Sequence, residues 1–137
     1  MYEIKVNYLR QTGEDNPGGV KETYLVDGVT PSDAEKRLMD EIKPFIFGDC
    51  EVPMIRNRRF YDIFPQEGGE NWYEGKVELI TIEDNGAEKR RAVTVLIQDN
   101  LIEDALHALK KNLASVDCEI LAIKKSQILD IIREVKE

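Results

Sequence analysis

Histidine is nearly missing from this chain: His107 is the only one in 137 residues. Its scarcity removes the usual general base from most histidine-dependent catalysis. Cysteine is scarce too. Cys50 and Cys118 make no disulfide framework, and neither stands in a CxxC or beside a histidine, so a zinc site is not expected. No apolar run approaches the roughly 18 residues that a transmembrane helix requires. The N-terminal MYEIKVNYLRQ alternates polar residues where a signal peptide needs an unbroken apolar stretch, so a cytoplasmic location is expected. Positive charge is also in deficit, with 19 Lys and Arg against 27 Asp and Glu, a net charge of −8 and a pI near 4.8. That balance disfavours a nucleic-acid backbone or an anionic membrane as partner. There is no RNP-type motif, and TGEDNPGG (12–19) lacks the lysine–hydroxyl ending of a P-loop, so it reads as a turn.

What is present suits a packed core. The hydrophobic share is 42%, with five Pro and nine Gly, and the length fits a single domain over 1–137. The chain also repeats itself. Laying Tyr2 onto Tyr73 places YEIKV over YEGKV, YLV (24–26) over VLI (95–97), and Asp33, Ala34 and Leu38 over Asp104, Ala105 and Leu109. After a short gap, CEVPMIRNRRFYDIF (50–64) lies over CEILAIKKSQILDII (118–132). Three matches in one order point to duplication.

The local patterns agree between the copies. Tyr2, Ile4, Val6 and Tyr8 alternate with polar residues, as do Val77 and Leu79, which predicts a strand with one buried face. Turn-rich segments follow, TGEDNPGG and EDNGAEK (83–89), and then second strands VKETYLV and RRAVTVLI. Next come helices. Thr30, Pro31 and Asp33 supply a cap, a first-turn proline and an acid at the positive end; Asn100 and Glu103 form a similar pair in the second copy. Ala34, Leu38 and Ile42 make one apolar face; Ile102, Ala105, Leu106, Leu109 and Leu113 make the other. Gly48 is expected to help end the first helix. Third strands are predicted to start at Cys50 and Cys118 and to run into short helices at FYDIF and ILDII.

The fold class is therefore α+β: two ββαβ repeats with approximate twofold symmetry, each an antiparallel or mixed sheet with one helix. The repeats cover 1–64 and 72–132, joined by 65–71. A right-handed crossover returns the third strand beside the first. One such sheet with one helix has a thin core, so the copies are expected to pack together.

Several residues are weighed as sites. His107 points away from its helix's apolar face and reads as solvated. Asp62 and Asp130 occupy matched places and would perturb each other if they met, but a capping or ion-pairing role accounts for them as well. Cys50 and Cys118 open apolar strands and read as inert thiols. Arg56, Arg58, Arg59, Lys124 and Lys125, with Tyr61 and Trp72, outline an aromatic and basic surface that a nucleotide or a single strand could use. Solvated strand ends explain the same cations. Trp72, if exposed, would mark a partner surface; packing is the plainer reading.

The opening MYEIKVNYLRQTGEDNPGGVKETYLVDGVTPSDAE, the central WYEGKVELITIED and the closing ILDII resemble a domain-of-unknown-function family of small proteins from gut Bacteroidales and their phages. YLRQTGEDN and YLVD are its specific parts. The resemblance implies a cytoplasmic, accessory or mobile-element setting and transfers no catalytic residue. The expectation is a non-enzymatic binding or interaction module, with a protein or small ligand at the groove between the repeats, no cofactor, no metal, no membrane contact, and self-association left open. The alternative is an accessory nucleic-acid or nucleotide-binding protein. A carboxylate-based hydrolase at Asp62 and Asp130 comes third.

Overall fold

Alternation decides the first strand. In β1 (Tyr2–Arg10) every second side chain from Tyr2 to Tyr8 is apolar or aromatic, and Ile4 and Val6 are wholly buried. The computed structural model, which describes residues 1–10 and 18–133, pairs β1 antiparallel with β2 (Gly18–Val26) and with β3 (Ile46–Asn57). The TGEDNPGG turn falls largely outside the described residues. Between β2 and β3 runs α1 (Pro31–Ile42), with Pro31 in its first turn and the Thr30 Oγ1 accepting the Asp33 N–H at 3.2 Å. The sheet is closed by β8 (Ile128–Ile132), which runs parallel to β2, giving the order β3-β1-β2-β8. Ile4, Val6, Tyr8, Tyr24 and Val26 pack there against Ala34, Leu38 and Ile42 of the helix.

The chain divides into two units: Met1–Arg58 with the segment from Gln127 onward, and Arg59–Ser126. The second unit holds β4 (Asp62–Phe64), β5 (Asn71–Ile82), β6 (Glu88–Asp99), α2 (Ile102–Asn112) and β7 (Cys118–Lys125). Here β5 pairs antiparallel with β6 and β7, and β4 lies parallel to β6, in the order β4-β6-β5-β7. The β5–β6 turn has Gly86 at φ +82°, where an L side chain would be strained, and the Glu83 N–H bonds the Ala87 carbonyl at 2.8 Å. Tyr73, Val77, Val95 and Ile97 pack against Ala105, Leu109 and Leu113. At Gly75 a Cβ would meet Leu109 Cδ2 and Val95 Cγ2, each at 2.9 Å, so the missing side chain is what lets α2 lie close on this strand.

The mixed α+β architecture, with two helices and two four-stranded sheets, agrees with the sequence in outline and departs from it locally. The last three residues of FYDIF and the whole of ILDII are strands, β4 and β8, instead of short helices. Isolated segments of this length cannot nucleate a stable helix, whereas pairing with β6 and β2 satisfies their backbone groups. Their neighbours secure the ends: the Tyr61 N–H bonds the Thr94 carbonyl at 2.8 Å and the Asp27 N–H bonds the Ile132 carbonyl at 2.9 Å.

The third strand of the first unit starts at Ile46, ahead of Cys50. Helix α1 ends at Ile42 in a 3-10 turn, Lys43–Phe45, that contains Pro44. Gly48 therefore plays no part in the helix end. It sits inside β3 at φ +78°, where the pairs Tyr8–Cys50 and Leu9–Phe47 leave Gly48 and Asp49 outside the ladder.

The Asn100–Glu103 cap is also corrected. Leu101 is the N-cap of α2 and makes no side-chain cap bond. The Asn100 Oδ1 instead accepts the Glu70 N–H at 2.8 Å, and its carbonyl takes the Asn71 amide and the Tyr73 hydroxyl.

Candidate functional site

Helix α2 covers one face of the second sheet. Tyr73 and Val77 point toward it, so Glu74 and Lys76 belong to the opposite face. Cross-strand register then assembles the surroundings. Lys76 stands opposite Thr94 on one side and Ala122 on the other; Glu74 stands opposite Lys124; Glu78 stands opposite Ala92. The two alanines are too short to fill the space between the long side chains. The result is a hollow of about 350 Å³, with Ala92 and Ala122 low in it and Lys76, Lys124, Glu74 and Thr94 around it. Lys76, Ala92, Ala122 and Lys124 are all exposed.

The first sheet carries other residues at the corresponding pairs. Lys5 faces Thr23 and Met54, and Asn7 faces Lys21. Long side chains therefore occupy the places that Ala92 and Ala122 leave low.

The cations singled out in the sequence are partly committed. The Arg56 Nε and the Arg58 guanidinium each donate to a carboxylate oxygen of Glu3 at 2.9 Å. Glu3 is only 6% exposed, so the pair of arginines holds a buried charge. Lys124 approaches Glu74 at 3.8 Å from a side chain that is 77% exposed, a loose contact worth little. Arg59 and Lys125 both belong to the second unit and are exposed, in a loop and at the end of β7. Tyr61 is 46% exposed, and Trp72 is buried at 4%, which withdraws its ring from any partner surface. Of the seven, only Lys124 lies at the hollow. Lys76, Thr94, Ala92 and Ala122 carried no signal in the linear sequence.

Other charges are spent locally. Arg90 reaches Glu78 at 2.8 Å, Glu119 at 3.1 Å and Glu88 at 3.3 Å, and the hydrogen bond to Glu78 is the main reason its pKa is raised further. Asp62 belongs to the second unit and Asp130 to the first, and each accepts the N–H of the next residue at 2.8 Å. Burial pushes both thiols up, with Glu35 and Glu51 adding to it at Cys50 and Asp117 at Cys118, which opposes thiolate formation. His107 is exposed. Among the described residues, no group of three or more His, Cys, Asp or Glu could hold a metal ion, and no helix is long and apolar enough to cross a membrane.

The first unit has a polar feature inside its core. The Tyr8 hydroxyl donates to the Glu22 carboxylate, and Tyr24 lies beside them. Desolvation first, then the bond to Glu22, pushes the Tyr8 pKa up to about 12; the Tyr24 pKa is raised as well, again chiefly by burial.

No curated protein matches this chain. A family model described as a domain of unknown function, DUF4494, matches residues 1–134, and the chain belongs to that family.

Proposed function

We propose that the chain is a non-enzymatic binding module assembled from two copies of one ββαβ plan, and that it takes a small ligand on the helix-free face of its second sheet. The hollow over Ala92 and Ala122 carries this reading. Its size lies at the lower end of ligand pockets, roughly 300–1,000 Å³, and it combines apolar low points with a few polar groups. A ligand with an apolar body and a carboxylate fits best: the body rests on the alanines and the carboxylate reaches the Lys76 ammonium, with the Thr94 hydroxyl nearby. The groove expected between the copies is not needed for this.

Duplication is supported by matched registers. Glu3 pairs with Arg56 as Glu74 pairs with Lys124; Tyr24 faces Asp130 as Val95 faces Asp62. Both third strands break register at the same level. Val52 and Pro53 share Val6, and Leu121 is left over between the partners of Lys76 and Val77. The non-enzymatic part rests on how the reactive groups are used: raised thiols, aspartates bonded to their own backbone, and a solvent-facing histidine. The nucleic-acid reading is weakened at Arg56 and Arg58, which both bond the Glu3 carboxylate. The cytoplasmic, mobile-element setting implied by the resemblance stays part of the proposal.

Titration of the isotope-labelled chain with small aromatic and aliphatic carboxylates tests the site. Amide shifts centred on Gly75, Lys76, Ala92 and Ala122 are expected, together with at least a tenfold loss of affinity in Ala92→Leu or Ala122→Met. Shifts centred elsewhere, or affinity unchanged by filling the hollow, would refute it.

A further inference from the structure

A different place on the second unit points to a protein partner, independently of the hollow. Beyond the last turn of α2 the β5–β6 hairpin continues, and there the sheet's helix-side face lies open. Leu79 pairs with Arg91 and Thr81 with Lys89, so these four side chains share that face. With Glu83 they line a cavity of about 350 Å³. Lys89 and Arg91 are exposed, and neither makes an ion pair among the described residues. Arg90, between them, points to the opposite face and engages three carboxylates. In a chain of net charge −8, adjacent strand positions thus carry one fully satisfied cation and two that are not.

The first unit shows what fills such a place. At the same level of its hairpin Tyr8 pairs with Val20 and Arg10 with Gly18. There the chain itself supplies the cover: the Phe45 ring sits 5.0 Å from the Arg10 guanidinium, and Ile46 packs on the core. The second unit covers this end only in part: Val116 packs on its core, with no ring over a cation there among the described residues. The segment Leu113–Asp117 between α2 and β7 reads LASVD, without an aromatic residue.

We propose that this open end of the β5–β6 hairpin binds an acidic segment of a partner protein, an aromatic side chain resting over Leu79 and Thr81 and carboxylates meeting Lys89 and Arg91. An aromatic ring supplies contact area and stacks on the cations, and a planar carboxylate matches the Arg91 fork.

The test uses the full chain and an acetylated Asp-Phe-Glu-Phe-Asp peptide, followed by amide shifts. Binding with shifts confined to Leu79, Thr81, Lys89, Arg91 and their neighbours is expected. Affinity should fall at least tenfold in a Lys89→Glu, Arg91→Glu variant, and also when alanine replaces phenylalanine in the peptide. Ala92→Leu should leave it unchanged. The proposal is overturned by no binding at millimolar peptide, by equal binding of the peptide with lysine in place of its acids, by an unaffected charge-reversal variant, or by a uridine oligonucleotide that binds these residues more tightly than the peptide does.

Discussion

The two units use the same strand order and the same helix placement, yet they spend their interiors differently. Ile4 fills the centre of the first sheet; the position matched to it is Gly75, and α2 lies close on the strand instead. Tyr8, Glu22 and Tyr24 put a hydrogen-bonded polar group in the first core, where Leu79, Val93 and Val95 are apolar in the second. Glu3 is locked by two arginines, whereas Glu74 has Lys124 at a looser distance. The first unit covers its own surfaces with Met54, Lys21 and Phe45. The second leaves the matching places open, at Ala92, Ala122 and Thr81. Units with one strand order thus differ in how far their surfaces are filled.

Core truncations have the largest expected effect. Leu38→Ala and Leu109→Ala each remove a fully buried side chain beneath a helix, at a cost of about 3 kcal/mol. Chemical denaturation of the full chain checks whether the two costs agree; a difference of more than about twofold would break the equivalence of the cores.

Smaller effects sharpen the electrostatic contrast. Arg58→Met leaves the Glu3 carboxylate with one arginine and should cost about 2 kcal/mol. Lys124→Met, at an exposed and loose contact, should cost a few tenths, ~0.3 kcal/mol. Equal losses on denaturation would remove the distinction between the two carboxylates.

Alkaline pH should separate the units as well. The raised Tyr8 pKa means that the folded chain holds this proton more tightly than the unfolded chain. The associated stability is therefore intact below the ordinary tyrosine value, near pH 10, and is lost as pH climbs toward about 12. Tyr8→Phe should flatten the loss between these limits in a series of melts, and an unchanged slope would contradict the assignment. The smallest effect is expected at His107→Ala, within about 0.5 kcal/mol of zero, since the side chain is exposed.

Much of this arrangement could be read from the residues. Alternation in YEIKVNY, the Thr30 cap and the four-residue spacing of Ala34, Leu38 and Ile42 are local signals, and the described structure follows them. The terminal strands were not legible, because FYDIF and ILDII are too short for a period to separate strand from helix and their partners lie far along the chain. The Asn100 cap failed for a related reason, a tertiary bond to Glu70 outcompeting the local one. Nor could the hollow be read: an alanine in a strand says nothing until register sets it beside Lys76. Glu3 and Arg56 were visible as residues, but only the β1–β3 pairing brings them together.

Amide hydrogen exchange of the intact chain tests most directly whether both units are closed by their parallel end strands. The account expects slow exchange at Ile132 in common with β2, and at Phe64 in common with β6, with Leu38→Ala accelerating the first and Leu109→Ala the second. Rapid exchange at these two positions while β2 and β6 stay protected would contradict it.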